Sequence, residues 1–290
     1  MFLAQKDKEN RMAITITIAN EKGGVGKTTT AVNLAAGLAL RLSEKTGPAS
    51  RVLLVDMDPQ GHALLAAAFE HSQQKNSPSL AALLTETPPP SAQRLIHKSD
   101  HHPNLFLIPS DHAEMIKAAR ELPALMANET RLQHALQPLQ NDYAYIIIDA
   151  PPTTGDLLIN ALVAATWVLV PVETSYLGVS GLIELQRTIE QVKTHFRPDL
   201  QIFGYLPTLC EEQRAEAQEI LAELQKRYKN QILPPIHKAS DLAYAHSSHM
   251  DVFTYRPPRS RSAENIASSS RATHEYAELV DLVLQKTGKY

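Results

Sequence analysis

Apolar residues fall in short runs, and longer stretches with helical alternation separate them. The first run, Ile14–Ala19, is β-branched and apolar; it leads into the glycine-rich EKGGVGKTTT and then the alanine- and leucine-rich AVNLAAGLALRL. Polar SEKTGPAS follows, then a second run at Val52–Asp56, with further runs at Leu105–Ile108, Tyr145–Asp149, Trp167–Val172 and Ile202–Leu206. Each run is bounded by turn residues or charges. The alternation predicts an α/β fold, a twisted and mostly parallel sheet with helices on both faces. Residues 13–290 read as one domain and residues 1–12 as a short arm outside it. The proline-rich TETPPPSAQ at 85–93 reads as a loop within that domain. A last helix is expected from about His274 to Lys286.

Composition narrows the function classes. Hydrophobic residues make up 43% and charged residues 20% of the 290, the balance of a soluble globular chain. The formal net charge is -3, so any contact with nucleic acid must come from a local basic patch. The single cysteine, Cys210, excludes an internal disulfide and supplies too few thiolates for a zinc or iron–sulfur site within one subunit. It is expected to fill core space, and cytoplasmic residence fits it. No apolar run approaches the roughly 20 residues of a membrane span, and MFLAQKDKENRM is too polar for a signal peptide. His246 and His249 have no carboxylate or cysteine at ligand spacing and read as surface or cap histidines.

The glycine-rich string carries the first chemistry. Lys22 through Thr29 follows a strand and opens a helix, the setting that a phosphate loop needs. Gly23, Gly24, Val25 and Gly26 allow a tight turn whose N–H groups face phosphate oxygens, and the helix start adds partial positive charge. Lys27 would reach the terminal phosphates, Thr28 would place its hydroxyl on Mg²⁺, and Thr29 continues the string. Two carboxylate motifs follow. Asp56 and Asp58, two apart, share a face in extended geometry and look into the crevice at the carboxyl end of a parallel sheet. Ile146-Ile147-Ile148-Asp149 followed by Ala150-Pro151-Pro152 delivers another carboxylate at a strand tip, the Walker B pattern, where it can hold a magnesium-coordinated water. Alone, Asp56 or Asp58 could equally be a turn or helix-capping aspartate.

The loop departs from the general pattern G-x-x-x-x-G-K-[ST]: Glu21 stands where the first glycine belongs, and Lys22 follows it. The string resembles the deviant Walker A motif of the ParA/MinD group of ATPases, in which this extra lysine is the signature. The resemblance implies that Lys22 crosses a dimer interface to the phosphates of the partner's nucleotide; the plain alternative is a solvated loop lysine. DMDPQG at 56–61 is similar to the family's second motif. That similarity implies that Asp58 orients or activates the attacking water and that Asp56 supports the magnesium shell. Thr153, Thr154, Gly155 and Asp156 then fall in the segment that senses the γ-phosphate. VPVE at 170–173 with SYLGVSGL looks like the next strand and loop, and GYLPTLCEEQRAEAQEIL resembles the segment approaching adenine. The family's acidic-then-basic pair is displaced there to Cys210-Glu211-Glu212-Gln213-Arg214. About the first 210 residues match well and the rest loosely. No N-K-x-D guanine motif follows Asp149, which favours ATP over GTP.

From Leu224 the charge turns basic, and YRPPRSRS is loop-like. Such residues neutralise backbone phosphates without reading sequence. In ParA-type proteins C-terminal basic residues form the DNA surface, which makes Arg256, Arg259, Arg261 and Arg271 the candidates; a solvated basic face is the alternative. No helix-turn-helix module precedes the phosphate loop. The resemblance therefore implies an ATPase, converting ATP and water to ADP and phosphate, with ATP and Mg²⁺ as cofactors and Lys22, Lys27 and Asp58 as catalytic residues. Thr28, Asp56 and Asp149 would hold the metal. It further implies a homodimer formed on ATP binding, non-specific double-stranded DNA and a ParB-type activator as partners, a cytoplasmic and nucleoid-associated location, and partition or positioning of DNA or another cargo. A MinD-like or other cargo-positioning ATPase acting on a membrane or protein assembly is the alternative. The last helix lacks the basic, bulky-apolar end that lies on membranes. A metal-carrier ATPase needs paired cysteines, and a small-molecule kinase leaves Lys22 without a purpose.

Overall fold

The computed structural model describes residues 12–45, 47–61, 79–256 and 270–289. Strands β1 (Ile14–Ile18), β2 (Val52–Asp56), β3 (His97–Lys98), β4 (Leu105–Ile108), β5 (Tyr145–Asp149), β6 (Trp167–Glu173) and β7 (Gln201–Thr208) form one sheet in the order β3-β4-β2-β5-β1-β6-β7. Every pairing is parallel except that of β3 with β4. Between and after the strands lie α1 (Lys27–Arg41), α2 (Leu80–Thr85), α3 (His112–Glu121), α4 (Arg131–Leu136), α5 (Asp156–Ala164), α6 (Tyr176–Ser180), α7 (Leu182–His195), α8 (Ala215–Tyr228), α9 (Ser240–Ser247) and α10 (Arg271–Thr287). The fold is the mostly parallel sheet that the apolar runs predict, and it agrees with the P-loop NTPase arrangement that the resemblance implies.

Both faces of the sheet are covered, which is why its strands read as unbroken apolar runs. Ile16, Ile18, Leu54, Tyr145 and Ile147 pack on one face with Leu34 and Leu38 of α1 and Val280 and Val283 of α10. Leu53, Val55, Ile146, Ile148 and Val170 pack on the other with residues of α2 through α5, α7 and α8. Each fully buried aliphatic contributes about 1.5–3 kcal/mol, so the strand tips that carry the site are held by the most heavily buried part of the chain. Helices α1 and α10 approach closely at Gly37, where a Cβ would lie 2.5 Å from Val280 Cγ2.

Both lateral edges of the sheet are closed. On one side β3 is two residues long and ends in exposed Lys98. On the other, residues 232–238 run beside β7, with Leu233 N–H donating to Tyr205 O at 2.9 Å and Ile236 N–H to Pro207 O at 2.8 Å. The antiparallel strand β3 has too few residues to leave a period in the sequence.

The segment after α9 is pinned from two directions. Buried Asp251 accepts from His102 Nε2 at 2.7 Å, from Thr254 Oγ1 at 2.9 Å and from the N–H groups of Phe253 and Thr254. Asn33 of α1 accepts from Val252 N–H at 2.8 Å and donates to Thr29 O at 2.8 Å. Helix α10 starts at Arg271, earlier than the sequence suggests, because the Ser270 hydroxyl caps Thr273 N–H. Likewise α1 opens at Lys27, within the glycine-rich string. Cys210 is buried. Among the described residues no helix is long and apolar enough to cross a membrane.

Candidate functional site

The phosphate loop spans the carboxyl end of β1 and the start of α1. Gly24 and Gly26 have φ of 77° and 84°, the left-handed region that a side chain disfavours. Gly26 is also the N-cap of α1 and offers no side-chain cap, so no side chain claims the first-turn N–H groups. The loop is anchored from outside by the Thr208 hydroxyl, which donates to Val25 O at 2.8 Å. Asn20, just before the loop, spans to β6 by donating to Pro171 O at 2.7 Å and accepts from Lys22 N–H at 2.9 Å. Asn20 and Thr208 are structural members of the site without a motif of their own; only the position of Asn20 beside the loop hints at its part.

Lys27 is 5% exposed, and its Nζ donates to Lys22 O at 2.7 Å. Burial pushes the Lys27 amine below its ordinary range, while the carboxylates of Asp149 and Asp58 pull it back. The three predicted carboxylates converge on this lysine's surroundings. Asp56 and Asp149 are register partners at the tips of β2 and β5. Asp56 accepts from Asp58 N–H at 3.0 Å, and Asp58 from Gln60 N–H at 2.9 Å. The Asp58 carbonyl is tied to the Ser110 hydroxyl at 2.7 Å, which fixes the turn beyond β2.

Asp149 is fully buried, and neither carboxylate oxygen has a well-aligned hydrogen-bond donor. Burial raises its pKa most, the Asp58 charge adds to that, and the nearby Thr28 hydroxyl and Lys27 act in the opposite sense. A buried carboxylate in this condition favours a cation or a coordinated water. Thr28, Asp56 and Asp149 therefore fit a magnesium ion, which is usually held by few protein ligands together with phosphate and water. Such a site needs no dense cage, and among the described residues no group of three His, Cys, Asp or Glu side chains is placed as one.

Lys22, 27% exposed in its side chain, forms an ion pair with Glu173 at the end of β6. Beyond Glu173 lies a cavity of about 180 Å³, lined by Ser175, Leu209, Glu211, Arg214 and Lys238 among others. This is the region of the expected adenine segment. Thr153, Thr154 and Gly155 are exposed, and Asp156 opens α5. Asp156 also accepts from Asn128 Nδ2 at 3.2 Å.

Of the four arginines proposed for DNA, Arg256 and Arg271 are among the described residues. Arg256 is exposed, with Nη1 donating to Phe253 O at 2.7 Å. Arg271 is inside α10, and its guanidinium donates to Glu212 and Glu275 at 2.5 and 2.8 Å. Arg259 and Arg261 lie outside the described residues.

A family model described as an AAA domain matches residues 13–202. The chain is 39% identical to the "Chromosome partitioning protein ParA" of Myxococcus xanthus over 76% of its own length and 74% of the relative's. It is 35% identical to the "Sporulation initiation inhibitor protein Soj" of Bacillus subtilis, over 87% of this chain and 95% of that one. Among solved structures, cobyrinic acid a,c-diamide synthase from Mycobacterium smegmatis with bound ATP analogue and magnesium superposes with a TM-score of 0.73. It is 29% identical, and the match covers 95% of this chain and 97% of that one.

Proposed function

Because the chain belongs to the ParA/Soj family of P-loop ATPases, we propose that it is an ATP-dependent dimerising switch that binds DNA non-specifically and positions DNA or another cargo. The observation that carries this reading is the meeting of buried Lys27 with Asp58 and the unsatisfied Asp149 beneath an uncapped glycine loop. Gly23 through Thr29 cradle the phosphates with N–H groups, and Lys27 neutralises the charge that builds on them. Thr28, Asp56 and Asp149 would hold magnesium. Bound there, the metal supplies charge neutralisation and orientation of phosphate oxygens. Asp58, fixed by its turn, aligns the attacking water, a task of positioning rather than covalent chemistry. Lys22 reaches the nucleotide of a second copy, so hydrolysis depends on two chains.

The chromosome-partitioning name of the Myxococcus xanthus relative supports DNA as the surface on which the switch works. Arg256, Arg259 and Arg261 contact backbone phosphates. Arg271 contributes least, since Glu212 and Glu275 already share its charge. A ParB-type protein stimulates hydrolysis, and the dimer acts in the cytoplasm on the nucleoid. The test is binding to random-sequence duplex DNA with ATP, ADP or no nucleotide, at low and raised salt. Binding that appears with ATP alone and weakens steeply with salt is expected. ATP-driven dimerisation without DNA binding under any condition would overturn the DNA claim and favour a membrane or protein surface.

A further inference from the structure

Lys22 and Glu173 are both held at the backbone, and only their side chains are free to part. Lys22 N–H is bound by Asn20 Oδ1 and its carbonyl by Lys27 Nζ, at 2.9 and 2.7 Å. Glu173 closes β6, where it is the register partner of Thr208, and its carbonyl accepts Ser175 N–H at 2.8 Å. The turn into α6 presses on that carbonyl so closely that a Cβ on Gly178 would lie 2.1 Å from it. The Glu173 carboxylate is thus presented from a rigid strand end to a lysine on a rigid loop. Neighbouring Glu21 is engaged with α7, its Oε1 accepting the Thr188 hydroxyl at 3.1 Å. The amine proposed to act in another chain is therefore bound within its own.

We propose that Glu173 is a positioning residue for Lys22: it holds the amine in its own chain until the nucleotide phosphates of a second copy replace the carboxylate. The proposal rests on the dimerising-switch reading above and adds to it a threshold. The side chains of the pair are 27% and 31% exposed, so the contact is a weak one, suited to exchange. One such pair is worth up to about fivefold in an equilibrium, and two open per dimer, so together they raise the dimerisation midpoint by as much as ~25-fold.

The test compares the full chain with its Glu173→Gln variant, which keeps the shape and removes the charge. Sedimentation velocity with a non-hydrolysable ATP analogue and Mg²⁺, over a series of protein concentrations, gives the dimerisation midpoint. In parallel, an amine-acylating reagent applied without nucleotide reports the labelling rate of Lys22 by mass spectrometry. The variant is expected to dimerise at a concentration at least about threefold lower and to label Lys22 at least about twofold faster. An unchanged labelling rate, or dimerisation equal to or weaker than that of the unaltered chain, overturns the proposal and leaves the switch reading standing. If neither protein associates with the analogue, the switch reading fails and takes the proposal with it.

Discussion

Lys27 and Lys22 lie five residues apart and differ in every physical respect that bears on their work. Lys27 is buried, faces Asp149 and Asp58, and can act only on a phosphate lying in its own loop. Lys22 is part-exposed and paired with a carboxylate at the sheet's rim, where a second copy can approach. Replacing Lys22 with alanine should leave nucleotide binding by the single chain nearly unchanged. Steady-state phosphate release should fall by about 10²-fold or more, the scale of removing one charge-stabilising donor. A small-molecule kinase using the same loop would keep most of its turnover. Fluorescent-nucleotide titration alongside a phosphate-release assay separates the two. The motif residues were legible because each chemical task restricts residue type and spacing. Glu173 was visible only within the string VPVE that resembles a family strand, and its pairing with Lys22 was not, since the partner lies 151 residues away and no local pattern links them.

Among the elements, α1 joins the site to the far face of the molecule. Its first turn carries Lys27 and Thr28, its second holds Val252 through Asn33, and its third meets α10 at Gly37. Alanine at Gly37 would gain about 1 kcal/mol in helix propensity. Its methyl group, however, would crowd Val280 Cγ2 and Phe253 Cε2, at 2.5 and 2.9 Å, and such overpacking costs about 1–3 kcal/mol. We expect a net loss of up to about 2 kcal/mol and a lower melting temperature, with Val280→Ala relieving part of it in a double-mutant cycle. Elements with an unbroken apolar run, such as β5 and β6, were readable in the sequence. The start of α1 was not, because a helix that begins on a phosphate loop has glycine and lysine where an ordinary cap would stand. The start of α10 was missed for a related reason, its serine cap lying within a polar stretch that reads as loop.

At the scale of the whole molecule, His102 and Asp251 tie the loop before β4 to the C-terminal segment. Burial would raise the pKa of Asp251, yet hydrogen bonds and charge from His102, with the side chain and backbone of Thr254, outweigh it and hold the carboxyl below its usual range. A depressed carboxyl contributes stability that is present above its unfolded pKa of about 3.9 and is lost as pH falls through the lower folded value. Asp251→Asn should cost about 3 kcal/mol near neutrality, because it breaks a buried pair. The difference from the unaltered chain should shrink below about pH 4. Urea titrations at pH 7 and at pH 3–4 would show this; an equal difference at both would remove the ionised carboxyl from the account.

The closed edges of the sheet have a consequence for crowding. A strand with unpaired N–H and C=O groups is a template on which further chains can add without limit. Here a two-residue strand with a lysine guards one side, and a parallel segment lies along the other. When many copies of the chain crowd together, these edges deny them the strand-by-strand route to irreversible fibres.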